Sequence, residues 1–200
     1  MKVIGLCGQS GSGKGLVCAF FTELNVKCID TDKVYHDIIS TDSECTKELV
    51  AFFGDSISGN PGINRKELAK VAFSSKEHLE KLNEITHKHI LNDVRAKIDK
   101  IKSEKQYDGI IIDAPLLFES KFDTECDATI AVICDLENKI SRIMARDGIT
   151  RDMALKRISS QISDLSLENK CNYVIHNNSS SEELKSRVYD LKKIIFDQEI

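Results

Sequence analysis

The first residues able to do chemistry are Gly8–Gly15, which read GQSGSGKG. Gly8 through Lys14 satisfies G-x-x-x-x-G-K. Backbone N–H groups of such a loop, and of the helix that follows it, wrap phosphate oxygens. Lys14 then reaches the β- and γ-phosphates. The position after that lysine normally holds Ser or Thr, whose hydroxyl contacts Mg²⁺. Here Gly15 and Leu16 follow, so a hydroxyl ligand is excluded. A nucleotide-fed kinase tolerates the change, because phosphates and water can hold the ion. A GTPase fits less well, and neither Asn138-Lys139 nor Asn169-Lys170 continues into an N-K-x-D guanine motif.

Acids and cations supply the rest. Asp30-Thr31-Asp32 follows an apolar run, where a carboxylate can accept the proton of a phosphoryl acceptor. Thr31 or Asp32 could equally cap the next helix. Asp32 is the candidate base and Asp30 its support. Asp113 ends another apolar run (GIIID), where a carboxylate can face Mg²⁺ through water or simply end a strand. Glu119 reads as a helix opener. Arg142, Arg146, Arg151 and Arg157 concentrate late in the chain. Guanidinium groups neutralise charge on a transferring phosphoryl group. Arg142 and Arg146, four apart, share a helix face, and Arg146 is the preferred ligand of the phosphates. His87 and His89 (ITHKHI) lack metal-ligand spacing and read first as packed side chains.

These residues need elements to place them. Apolar runs predict strands at Lys2–Cys7, Val26–Ile29, Gly109–Asp113, Ala128–Cys134 and Asn172–Ile175. Helices are predicted at Leu16–Leu24, from near Lys33, at Thr46–Phe53 and at Arg65–Phe73. A further helix runs from a capping box at Ser74–Glu77 to about Lys105. Others follow at Leu136–Arg146, at Thr150–Gln161 and after Ser180. In the last, Leu184, Val188, Leu191 and Ile195 share one face. Gly54–Gly62 is dense in turn formers. Strands alternating with helices give an α/β fold, a five-stranded parallel sheet flanked by helices. Ligands belong at the carboxyl ends of its strands, where the glycine loop, Asp30–Asp32 and Asp113 all fall. The expected organisation is one domain over 1–200, with a helical insertion at 40–105 and a helical lid at 142–170.

Composition sets limits. The chain has 200 residues, net charge −4, 41% hydrophobic and 30% charged residues. That excludes disorder and low complexity and disfavours a general nucleic-acid or membrane-surface binder. No apolar run approaches the ~18 residues of a membrane helix. Seven cysteines show no C-x-x-C pair, and no signal peptide precedes them, so reduced cytosolic thiols are expected.

Taken in order, KVIGLCGQSGSGKG, CIDTD, RKELAKVAF, ITHKHI, IIIDAPLLFES, RIMARDGITRDMALKRISSQ and YVIHNNSS resemble the dephospho-CoA kinase family over nearly the whole chain. PLLFE and the RDG segment are more specific to that family than the phosphate loop. The resemblance implies a P-loop kinase in the cytoplasm. It would transfer the γ-phosphoryl group of ATP, with Mg²⁺, to the ribose 3′-hydroxyl of dephospho-CoA, the last step of coenzyme A synthesis. Such a chain would be a monomer or weak homo-oligomer, without nucleic-acid or membrane partners. Carried over, Gly11, Ser12, Gly13, Lys14, Gly15 and Leu16 hold ATP phosphates and Asn177 lines the adenine. Asp32 is the base and Arg146 the lid arginine, while Arg65 and His87 belong to the CoA-binding lobe. Departures from the family pattern are Gly15 and Leu16 for Ser and Thr, Lys88 for a proline after His87, and ISDLSLENK in the lid. Alternatives are another P-loop small-molecule kinase, such as a nucleoside monophosphate kinase, or a degenerate nucleotide-binding module.

Overall fold

The structure is a computed structural model and describes residues 1–197. The elements run β1 (Lys2–Cys7), α1 (Lys14–Glu23), β2 (Val26–Asp30), α2 (Thr31–Ile39), α3 (Glu44–Phe53), α4 (Arg65–Ala72), α5 (Lys76–Glu104), β3 (Gly109–Asp113), β4 (Ala128–Ile133), α6 (Leu136–Asp147), α7 (Arg151–Ser159), α8 (Asp164–Lys170), β5 (Tyr173–His176) and α9 (Ser181–Phe196). They fall into two compact units. One joins Met1–Ile29 to the chain from Ile101 onward, and the other is Asp30–Lys100.

The first unit is built on a five-stranded sheet of order β2-β3-β1-β4-β5. β1 pairs in parallel with β3 and β4, and β4 with β5. Strands flanked by helices on both faces are apolar throughout, and Ile110, Ile111 and Ile112 are fully buried. The chain steps from β1 to one side of the sheet, through β2 and β3, and then crosses to β4 on the other. Such a reversal opens a crevice at the strand carboxyl ends, and the glycine loop leaves β1 there. α1 and α9 cover this core. Val17 and Phe21 pack with Leu184, Val188, Leu191 and Ile195, each worth roughly 1.5–3 kcal/mol of burial.

The second unit is helical. Its core joins Ile39, Cys45, Leu49, Phe53, Ile57, Ile63, Leu68 and Ile85. α5 runs unbroken through His87-Lys88. Lysine keeps the N–H that proline lacks, so nothing there forces a kink.

Several local expectations are corrected. The cap of α5 is Ser75, whose Oγ accepts from His78 N, while Ser74 turns back to Val71 O. Glu119 opens no helix. Residues 115–121 are successive turns that bury Leu117 and close with Lys121 at φ 59°. The lid stretch ISDLSLENK holds a helix of its own, α8, capped by Ser163 Oγ on Ser166 N.

Candidate active site at the phosphate loop

The loop begins where β1 ends. Ser12 N donates to Gln9 O at 3.1 Å, and Leu16 N and Val17 N donate to Gly13 O. Gly11 (φ 79°) and Gly13 (φ 100°) sit in the left-handed region, which glycine alone enters cheaply. Both are also pressed by neighbours. A Cβ at Gly11 would lie 2.6 Å from Lys139 O, and one at Gly13 would overlap Asn177 Nδ2. Gly13 is the N-cap of α1 and offers no side chain, and the first turn of α1 carries no acid. The helix therefore presents its leading N–H groups and the positive end of its dipole without a built-in anion. Ser12 Oγ is buried without a hydrogen-bond partner among the described residues. A buried orphan hydroxyl is costly, and a phosphate oxygen would satisfy it. Lys14 Nζ lies across the loop on Gly8 O, at 2.9 Å.

Two side chains hold this loop from behind. Arg142 Nη1 donates to Gly11 O (3.2 Å) and Ser12 O (3.4 Å), and its Nη2 donates to Asn177 O (3.2 Å). Asn177, 4% exposed, donates Nδ2 to Ser12 O at 2.7 Å. The carbonyls of Gly11 and Ser12 are thereby turned back into the protein, away from an anion at the loop. Asn177, which the resemblance sets in the stretch beside the adenine, is thus also tied to the loop through Nδ2.

Asp113 closes β3, with its Cα paired to that of Leu6. It is half-buried, and Cys18 Sγ lies 3.8 Å from its Oδ2. Asp30 ends β2 and caps α2. Its Oδ1 accepts from Asp32 N (2.9 Å) and Lys33 N (3.1 Å). The cap is therefore Asp30. Thr31 and Asp32 lie in the first turn of α2.

The lid arginines separate. Arg146, with its side chain 61% exposed, makes a bidentate pair with Asp147 at 2.7 and 2.9 Å. Arg157 joins the same carboxylate. Arg146, then Arg157, hold the Asp147 carboxyl down at about 2, against a smaller opposing effect of burial. Arg151 forks onto Glu137. Spacing puts Arg142 and Arg146 on one face, yet only Arg142 touches the loop.

In the helical unit, Arg65 opens α4 and is exposed. Burial raises the Tyr35 hydroxyl pKa, and the charge of Arg65 opposes that rise. His87 is half-buried on α5. His89 Nε2 lies 3.2 Å from Glu48 Oε1. No cluster of three His, Cys, Asp or Glu side chains suited to a metal occurs among the described residues.

A family model described as dephospho-CoA kinase matches residues 2–183. A dephospho-CoA kinase of Fusobacterium nucleatum is 40% identical over 189 residues, 94% of this chain and 95% of the relative. One from Listeria monocytogenes is 35% identical over 94% of each chain. Among solved structures, a Thermus thermophilus protein superposes with TM-score 0.80 at 25% identity, covering 97% of both chains. A shikimate kinase from Acinetobacter baumannii, at TM-score 0.55 and 14% identity over 98% of this chain and 94% of its own, shares the fold alone. The chain belongs to the dephospho-CoA kinase family.

Proposed function

We propose that this chain transfers the γ-phosphoryl group of ATP to the ribose 3′-hydroxyl of dephospho-CoA, giving coenzyme A and ADP. The observation that carries the nucleotide half is the loop itself. Its carbonyls are drawn back by Arg142 and Asn177, and its helix end lacks any acid. Family membership carries the acceptor.

Asp32 takes the proton of the 3′-hydroxyl as that oxygen attacks the γ-phosphorus, and the bond to the bridging oxygen of ADP breaks. General-base assistance of this kind supplies about 10²–10⁴-fold. Charge spreads over the equatorial phosphoryl oxygens. N–H groups of Gly11, Gly13 and Gly15 meet it beside the Ser12 hydroxyl, Leu16 completes the helix turn that carries them, and Lys14 exchanges Gly8 O for phosphate. Arg146 adds a guanidinium once it trades Asp147 for phosphate. Asn177 serves the nucleotide through the loop it supports. Arg65 and His87 bind the acceptor in the helical insertion at 40–105, and 142–170 acts as the lid.

The residues fit a Mg²⁺ ion held chiefly by phosphates and water. Gly15 offers no side-chain oxygen, and half-buried Asp113 at the end of β3 is the carboxylate assigned to it. When bound, the ion neutralises phosphate charge. No helix among the described residues is long and apolar enough to cross a membrane, and all seven cysteines are free thiols, which fits a cytoplasmic enzyme of small molecules.

A coupled ADP-release assay tests the reading. Turnover with dephospho-CoA is expected. Phosphorylation of a nucleoside monophosphate, with none of dephospho-CoA, would overturn the acceptor. Nucleotide binding without any product would reduce the chain to a binding module.

A further inference from the structure

Lys139 on α6 is the only charged residue buried among the described residues, at 3% exposure. A buried ammonium must find partners for its donors, and Lys139 finds two. Nζ donates to Gln9 Oε1 at 2.5 Å and to Asp164 Oδ2 at 2.6 Å. Gln9 is itself buried and lies in the phosphate loop. Its Nε2 donates to Ile158 O (3.3 Å) and Ile162 O (2.9 Å), at the α7–α8 corner. The next loop residue is tied to the same corner, since Ser10 N donates to Gln161 Oε1 at 2.8 Å. The Lys139 backbone also backs Gly11. Two consecutive loop residues are thus fixed to α6, α7 and α8 by side chains 130 and more positions away in sequence. The other Asp164 oxygen is buried and has no hydrogen-bond partner, so that carboxylate depends on Lys139.

We propose that Gln9, Lys139, Asp164 and Gln161 form a positioning anchor that holds the phosphate loop in its anion-receiving shape before nucleotide arrives. Lys139 contacts the loop and not the phosphates, so it is a positioning residue. Ordering a flexible loop on binding subtracts from affinity, and ordering it in advance removes that loss. The anchor also fixes which part of the lid stays put. The α7–α8 corner is bound to the loop, whereas the ion pairs at the α6–α7 corner, Arg146 and Arg157 on Asp147 and Arg151 on Glu137, join residues of α6 and α7 to one another.

The role in turnover rests on the kinase reading, so the test uses nucleotide binding and amide exchange without acceptor. Calorimetry with a non-hydrolysable ATP analogue and hydrogen exchange at residues 8–12 are measured for Gln161→Ala, Lys139→Met and the double variant Lys139→Met/Asp164→Leu. Gln161→Ala, at a half-exposed site, should speed exchange at Ser10 and weaken the analogue about tenfold. The KM for dephospho-CoA should stay within about twofold. Lys139→Met strands a buried carboxylate and should lower thermal stability. The double variant removes both charges. It should regain stability yet bind the analogue at least about tenfold more weakly than the original protein. Restored affinity in the double variant, or unchanged exchange and affinity in Gln161→Ala, overturns the anchor. An original protein that binds no analogue overturns the kinase reading instead, and exchange at Ser10 still decides the anchor.

Discussion

Two glycines of the phosphate loop, two residues apart, should respond oppositely to the same substitution. Gly13→Ser forces a side chain into φ 100°, which costs a non-glycine residue roughly 1–2 kcal/mol. The new Cβ overlaps Asn177 Nδ2 and breaks its 2.7 Å bond to Ser12 O. Leaving those buried groups unpaired adds about 1–3 kcal/mol. Together the loss is about 2–5 kcal/mol. In a chain of this length each kcal/mol moves Tm by roughly 2–4 °C, so Tm should fall by about 4–20 °C. Gly15 is the second residue of α1, and a Cβ there meets nothing within 4 Å. Gly15→Ser should gain about 0.5 kcal/mol from helix propensity and raise Tm by about 1–2 °C. It also supplies the hydroxyl that the chain lacks, and should lower the Mg²⁺ concentration giving half-maximal rate. Thermal and urea unfolding of the two variants, followed by a Mg²⁺ titration of turnover, check both arms. Equal Tm shifts, or a Gly15→Ser variant that loses more than about 1 kcal/mol, would refute the geometric reasoning.

Three further outcomes are expected. Asp32→Asn should lower kcat by roughly 10²–10⁴-fold with little change in ATP affinity; a drop below about threefold in steady-state assays removes Asp32 as base. In the folded state the Asp147 carboxyl lies at about 2 instead of its ordinary 3.8, through Arg146 first and then Arg157. Its stabilisation is therefore complete above pH 3.8 and fades as pH falls toward 2; a carboxyl NMR titration should give that midpoint and should return toward 3.8 in Arg146→Ala. Burial pushes the Cys45 thiol up to about 11 and the Cys126 thiol up to about 12. The hydrogen bond from Cys7 draws Cys171 down, and one from Cys18 draws Cys28 down. Alkylation at pH 8 should mark Cys28 and Cys171 ahead of Cys45 and Cys126 by roughly a hundredfold or more, and equal labelling rates by peptide mass spectrometry would contradict it.

Local chemistry was legible in the amino-acid sequence. The phosphate loop needs glycine at fixed positions, and strands buried on both faces need unbroken apolar runs, so β1, β3 and β4 declare themselves. Single boundary residues were not legible. In Asp30-Thr31-Asp32 any of the three can cap a helix, and the choice depends on where β2 leaves the sheet. It leaves at Asp30, so Asp30 caps. α8 was hidden for another reason. ISDLSLENK buries only Leu167, and Asp164 is held by Lys139 from 25 positions away. No periodicity reports such a contact. Arg142 and Arg146 show the same limit most sharply. By spacing they are equivalent, with one charge type and one helix face. A helical turn of four residues nevertheless separates them by about 6 Å along the axis, comparable to the reach of a guanidinium. Because β1 and β4 set the height of the loop, that rise leaves Arg142 on the carbonyls of Gly11 and Ser12 and Arg146 past the loop, on Asp147. Residue type fixed what each arginine could bind, and the register of α6 against the sheet decided which of them holds the loop.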